Sequence, residues 1–157
     1  MRRELDKRRR MAWRSLFKAF SRIHQKIDQD LERAGVGSMV EYDVLYTLYE
    51  SPERRVRLAE LADAVFISRS GLTRLVDRLE RSGYIHREAS QEDRRGIYAV
   101  LTDAGIEKLR TIWEVYAPGI SQYFGSHLSD TEADVILTLF TRLEEAQESS
   151  LAPSEKL

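Results

Sequence analysis

LAELADAVFISRSGLTRLVDRLERSGYIHREASQEDRRGIYAVL, residues 58–101, decides the fold. The stretch reads as a short helix from Leu58 to about Val65, a tight turn at Phe66-Ile67, and a longer helix over 68–82. Two strands follow, over 84–88 and 96–101. Ser68 is a residue type that caps a helix N-terminus, and Gly83 suits the left-handed position just past a helix end. Tyr84/His86 and Ile85/Arg87 alternate as in a half-buried strand, whereas 89–95 is too polar to be buried. A helix-turn-helix followed by a charged β-hairpin has a shape suited to entering a DNA groove.

The residues of the longer helix sort by face. At about 100° per residue, Leu72, Leu75, Val76 and Leu79 share one narrow sector, the core side. Ser70, Arg74, Asp77 and Arg81 lie opposite, with Thr73 at the flank. The exposed first turns therefore present Arg69, Ser70, Thr73 and Arg74. Small side chains, with Gly71 among them, let a helix approach base edges closely, and Arg suits guanine O6/N7 or a phosphate. Ser68 and the free N–H groups of the first turn can also hold a phosphate. The plainer alternative is an amphipathic helix whose solvent side happens to be Arg-rich. An Arg at a hairpin tip can reach a minor groove, where narrow A·T tracts concentrate negative potential. Asp93, two residues before Arg95, can orient that guanidinium. Asp-Arg-Arg is a common loop composition and gains weight only beside the helix.

Working outward, a first helix is expected from about Met11 to Ala34. Trp13, Leu16, Phe17, Phe20, Ile23, Ile27 and Leu31 form its apolar stripe. At ~24 residues it rises ~36 Å, longer than one small domain needs for its own core. Ser38 with Glu41 is a capping-box signature for a second helix to about Glu50, closed by Ser51-Pro52. Arg54, Arg55 and Arg57 then lead into a short strand at 56–58 beside the hairpin. Thr102 opens a helix striped by Ile106, Leu109, Ile112, Trp113 and Tyr116, which Pro118-Gly119 should kink or interrupt before Ile120, Tyr123 and Phe124. Ser129 with Glu132 opens a last helix carrying Val135, Ile136, Leu139, Phe140 and Leu143, and the tail at 149–157 should fray.

The expected fold is mainly α (α+β): a winged helix-turn-helix with about six helices and a small antiparallel β-hairpin wing, plus a helical dimerisation layer. Residues 1–36 and 102–157 would form the dimerisation part. Residues 37–101 would form the DNA-binding lobe, with its reading helix at about 68–82 and its wing at about 84–101.

Composition bounds the alternatives. A chain of 157 residues with 42% hydrophobic and 32% charged residues is globular. It holds no Cys, so disulfides, thiolate metal sites and thiol redox switches are excluded. Only three His, at 24, 86 and 127, argue against a dedicated metal site, and no cofactor is expected. No apolar run approaches the ~18 residues of a membrane span, and the basic N-terminus lacks the apolar core of a secretory signal. A cytoplasmic protein is the expectation. The net charge of −1 conceals a gradient: residues 1–10 hold six Lys/Arg against two acids, and 126–157 hold two against seven.

LAELADAVFISRSGLTRLVDRLERSGYIHRE, followed by EDRRGIYAVLTDAG, resembles the multiple-antibiotic-resistance regulator (MarR) family of winged-helix transcription factors. The matching pieces are Leu61-Ala62, the run from Thr73 to Glu80, Gly83-Tyr84-Ile85, Asp93-Arg94-Arg95 and the run from Leu101 to Gly105. The resemblance implies a homodimer intertwined through its terminal helices on a pseudo-palindromic double-stranded operator. Residues 68–74, among them Ser68, Arg69, Ser70, Thr73 and Arg74, would enter the major groove. Arg95 would be the minor-groove arginine of the wing, held by Asp93, with Arg94 near phosphate. Most such proteins repress by occupying promoters, and many release DNA when a small phenolic or anionic ligand binds.

For such an effector the candidates are Trp13, Arg14, Phe17, His24, Tyr42 and Tyr46, aromatic walls with an Arg to pair a carboxylate. Their plainer role is in the core or the dimer interface. Ser68, Ser70 and His86 lack the glycine-rich nucleophile turn of a hydrolase, and no phosphate-binding glycine loop exists, so an enzyme is not expected. A winged-helix protein-interaction module and a ligand-independent DNA-binding activator remain as alternatives.

Overall fold

Every α-helix but that at Leu58–Ala64 begins where a side chain accepts a free N–H group of its first turn. In the computed structural model, which describes residues 5–65, 68–90 and 96–151, Asp6 accepts the Arg9 N–H at 2.9 Å. That cap starts α1 (Lys7–Ala34) at Lys7 rather than at Met11. Ser38 accepts the Glu41 N–H and opens α2 (Met39–Glu50). A 3₁₀ turn, Pro52–Arg54, leads into β1 (Arg55–Arg57), and α3 (Leu58–Ala64) follows directly. Ser68 caps α4 (Arg69–Arg81). Beyond it come β2 (Ile85–Ala89), β3 (Ile97–Leu101), α5 (Asp103–Tyr123) and α6 (Asp130–Leu151).

The three strands form one antiparallel sheet in the order β1-β3-β2. The short strand expected beside the hairpin is β1, which pairs Arg55 with Val100 and Arg57 with Tyr98. Helix α4 ends in a Schellman arrangement: Gly83, at φ 75°, donates to the Glu80 carbonyl, and Tyr84 donates to Leu79 at 3.0 Å. Glycine takes that left-handed conformation without the Cβ penalty. The turn expected at Phe66-Ile67 lies outside the described residues.

Helix α5 corrects one expectation. Pro118 and Gly119 do not interrupt it; it runs unbroken to Tyr123. Pro118 removes one backbone donor, but packing on both sides of it holds the helix. Gly119 is buried against Ile27 of α1, close enough that a Cβ there would meet Ile27 Cγ1 at 3.2 Å. One turn later the Tyr123 hydroxyl donates to Asp30 of α1 at 2.7 Å.

One hydrophobic core serves the whole chain. Ile27 and Leu31 of α1, Leu45 and Leu48 of α2, Leu75, Val76 and Leu79 of α4, and Ile106, Leu109 and Ile112 of α5 belong to a single buried cluster. The core thus crosses the 36/37 and 101/102 divisions expected between lobe and helical layer. The outer half of α1 is bare: Trp13, Phe17 and Phe20 are 65%, 64% and 60% exposed. None of the described side chains of α6 is buried, and Val135 and Leu137 are more than half exposed. Among the described residues no helix is long and apolar enough to cross a membrane.

The tightest backbone approach lies where α5 begins. A Cβ on Gly105 would sit 2.2 Å from the Tyr84 carbonyl oxygen and 2.6 Å from Leu101 Cδ1. Gly→Ala inside a helix ordinarily stabilises by ~0.5–1 kcal/mol. Gly105→Ala is expected to do the reverse, costing ~1–3 kcal/mol through overpacking. A lowered urea midpoint with an unchanged slope is the result to look for.

Candidate nucleic-acid interface

The four apolar residues of α4 turn inward as their spacing requires: Leu72, Leu75, Val76 and Leu79 are all buried. This anchors the opposite face, where Arg69, Ser70, Thr73 and Arg74 are exposed. Ser68 Oγ accepts the Gly71 N–H at 3.2 Å and lies 3.4 Å from Ser70 Oγ. Thr73 Oγ1 donates to the Arg69 carbonyl at 2.9 Å. Its hydroxyl proton is therefore engaged by the helix itself, while the oxygen can still accept a hydrogen bond.

The four arginines of α4 divide into two kinds. Arg78 reaches the buried Glu41 of α2 at 3.5 Å, and Arg81 Nε donates to the Asp77 carbonyl at 3.2 Å. Arg69 and Arg74 form no ion pair with any described residue. Both are left available to an anionic partner, and Arg69 stands on the first turn, where the helix dipole is also positive.

The hairpin rises beside this face. Ile85 pairs with Leu101 and Ala89 with Ile97, and the Ser90 N–H donates to the Gly96 carbonyl at 2.8 Å. Asp93, Arg94 and Arg95, expected at the wing tip, lie outside the described residues. At the base of the wing Arg87 is held by Asp77 and Glu80 of α4. Burial pulls its guanidinium pKa down, but the hydrogen bonds to Asp77 and Glu80 outweigh that and raise it. On the other side of the sheet Tyr98 lies between two guanidinium groups, with Arg55 5.0 Å and Arg57 5.4 Å from its ring centre. Arg57 Nε also donates to the Tyr98 hydroxyl at 3.1 Å.

Sequence reasoning named none of these tertiary pairs. A signal for the first was present: Arg87 shares the inward face of its strand with Ile85, an unusual place for a lone cation, and Asp77 and Glu80 are spaced to flank it.

The six effector candidates separate into two groups and an outlier. Trp13, Phe17 and His24 line an open apolar cleft of about 600 Å³, together with Tyr116 of α5 and Phe140 of α6. Tyr42 and Tyr46 line a second recess of about 520 Å³ with Trp113 and Arg110. There the Tyr42 and Tyr46 rings stack at 5.5 Å and those of Tyr42 and Trp113 at 5.7 Å. Arg14 is exposed on α1 and lines neither. The cation at the second recess is Arg110, already paired with Glu107. Asp43 is half-buried on α2; desolvation raises its carboxyl pKa against the opposing pull of His24. Among the described residues no group of three or more His, Asp or Glu could hold a metal ion.

Comparison with known proteins places this geometry in context. The MarR family model matches residues 34–96. The transcriptional regulator YkoM of Bacillus subtilis (strain 168) is 30% identical over 130 residues, covering 83% of this chain and 82% of its own. The transcriptional repressor MprA of Escherichia coli (strain K12) is 29% identical over 135 residues, covering 83% of this chain and 76% of its own. The crystal structure of Sco3205, a MarR family transcriptional regulator from Streptomyces coelicolor, was solved in complex with DNA. It superposes with a TM-score of 0.80 at 33% identity, covering 98% of this chain and 94% of its own.

Burial, with the nearby Tyr46, Tyr116 and acidic groups, pushes the Tyr42 phenol up to about 12 from its ordinary 10.0. The neutral phenol is thus the form the fold prefers. The stability it contributes is intact below pH 10 and declines as pH rises toward 12. Tyr46, Tyr116 and Tyr123 are raised as well, so an ultraviolet absorbance titration should show several late-ionising tyrosines, of which the latest disappears in Tyr42→Phe.

Proposed function

Because this chain belongs to the MarR family of winged-helix transcriptional regulators, we propose that it is a homodimeric repressor occupying a pseudo-palindromic DNA operator. It is a regulator and not an enzyme, as its relatives are. The observation that carries the reading is the exposed start of α4, where Arg69 and Arg74 stand without ion-pair partners among the described residues, beside Ser70 and Thr73. Residues 68–74 enter the major groove. The wing, with Arg95 at its tip, Asp93 orienting it and Arg94 near phosphate, takes the adjacent minor groove.

One such lobe offers only a small DNA-facing surface, and twofold symmetry supplies a second at half-sites about 10 bp apart. The bare aromatic stripe of α1 and the unburied face of α6 support a second copy as their cover, since apolar patches of this kind on a soluble protein mark interfaces. Residues 1–36 and 102–157 are then the dimerisation part around the lobe at 37–101. Repression, the activity named for MprA, follows if the operator overlaps a promoter.

An aromatic or anionic effector is the second element of the reading. The apolar cleft at Trp13, Phe17 and His24 and the tyrosine recess at Tyr42, Tyr46 and Trp113 are its two candidate seats. A ligand in either would press on helices α1, α2 and α5, which share the core with α4.

Operator fragments selected from random DNA by the full chain provide the probe. If Arg74 grips a guanine bidentately, Arg74→Ala should weaken binding by ~1–3 kcal/mol and relax one base position. If it grips a phosphate, the salt dependence should become shallower by about one charge for each phosphate no longer neutralised. Affinity and salt slope unchanged in both Arg74→Ala and Arg95→Ala would falsify the DNA reading. Arg95→Ala should cost at least ~1 kcal/mol and relax the preference for A·T-rich flanks. The chain's two tryptophans distinguish the effector seats. Quenching by a substituted benzoate should vanish in Trp13→Phe if the cleft binds it and in Trp113→Phe if the tyrosine recess does.

A further inference from the structure

The strand order leaves β2 at the edge of the sheet, joined to the rest of the hairpin only through β3. Arg87, in the middle of β2, ties that edge to α4 at three points. Its Nη2 donates to Asp77 Oδ1 at 2.5 Å, its Nη1 donates to Glu80 Oε2, and its backbone N–H donates to Glu80 Oε1 at 3.0 Å. Asp77 and Glu80 stand one helical turn apart, so both ends of a planar guanidinium are held at once. The backbone bond through the same Glu80 opposes sliding of the strand along the helix, and the two-point grip on the guanidinium opposes rolling. The side chain is 26% exposed, so water competes with these bonds only partly. Arg87 also lines a groove with Leu58, Arg69 and Thr73, directly beneath the exposed first turns of α4.

The four α4 leucine and valine anchors share one core with Ile85, Ala99 and Leu101 of the hairpin, which seats the base of the wing. The charged grip adds a directional tie between mid-strand and helix. We infer that Arg87, held by Asp77 and Glu80, is a positioning residue that sets the spacing and angle between α4 and the wing, so that both engage one duplex together; this rests on the DNA-binding reading above. Two binding elements on one rigid frame act as a linked pair, the second at high effective concentration. A wing released from Arg87 meets its groove at a lower effective concentration, although every DNA-touching side chain is still present.

Arg87→Met keeps the aliphatic stem and removes the grip. Glu80→Gln keeps an acceptor for the strand N–H, removes the charge, and serves should the first variant fold poorly. Both are compared with the native chain on its selected operator. Methylation protection reports the major groove and hydroxyl-radical protection the minor groove. Either variant is expected to keep the major-groove protection, to lose the minor-groove protection, and to bind about tenfold more weakly. Arg87→Lys, which reaches one carboxylate at a time, should recover part of the loss. Minor-groove protection as strong in the variants as in the native chain overturns the positioning role and leaves the DNA reading standing. Loss of protection in both grooves together means that Arg87 merely keeps the lobe folded, which also overturns it. A native chain that protects no minor groove overturns the wing reading itself, and the positioning role with it.

Discussion

Thr102 joins three elements through one side chain and one backbone N–H. Its Oγ1 accepts the Gly105 N–H at 3.0 Å, capping α5, and donates toward the carbonyls of Gly83 at 2.7 Å and Tyr84 at 3.0 Å. Its own N–H donates to Tyr84 at 3.1 Å. A hydroxyl has one proton, so the two carbonyls share it. The end of α4, the start of the wing and the start of the long helix α5 are thereby fixed within a few ångströms. Gly105 lets those backbones close up, since any side chain there would strike the Tyr84 carbonyl. The direction in which α4 presents its arginines, and the direction in which α5 carries its apolar length, are set at the same point.

Charge is distributed with similar economy. Arg78 and Arg81 stabilise the lobe internally, and Arg87 braces the wing. Arg69 and Arg74 stay open to solvent. A chain with a net charge of −1 can therefore offer a basic surface, because Glu41, Asp77 and Glu80 are placed against Arg78 and Arg87 and leave Arg69 and Arg74 open. Counting charges along the sequence shows only the sum. Pairing distances show which cations remain available.

What the sequence disclosed was local. The caps at Ser38, Ser68, Thr102 and Ser129 and the buried stripe of α4 depend on spacings of three and four residues, and the structure carries them all. What stayed hidden depends on elements that meet only after folding. Glu41 read as half of a capping box, yet its carboxylate faces Arg78 of another helix. Six aromatic and basic residues read as one cluster occupy two recesses and an exposed site, because α2 turns Tyr42 and Tyr46 away from Trp13. Pro118 reads as a helix break by propensity, and packing against Ile27 and Asp30, about ninety positions distant, overrides it.

The single core has a consequence for how such a protein can change over time. Ile27 and Leu31 from one end of the chain and Ile106, Leu109 and Ile112 from the other belong to the same buried cluster as the leucines that seat α4. The lobe is thus not a detachable cassette that recombination could graft onto a foreign scaffold. Removing either flank would strip apolar cover from the core that α4 shares. Change is therefore freest on the exposed turns, while α1, α4 and α5 are inherited together as one piece.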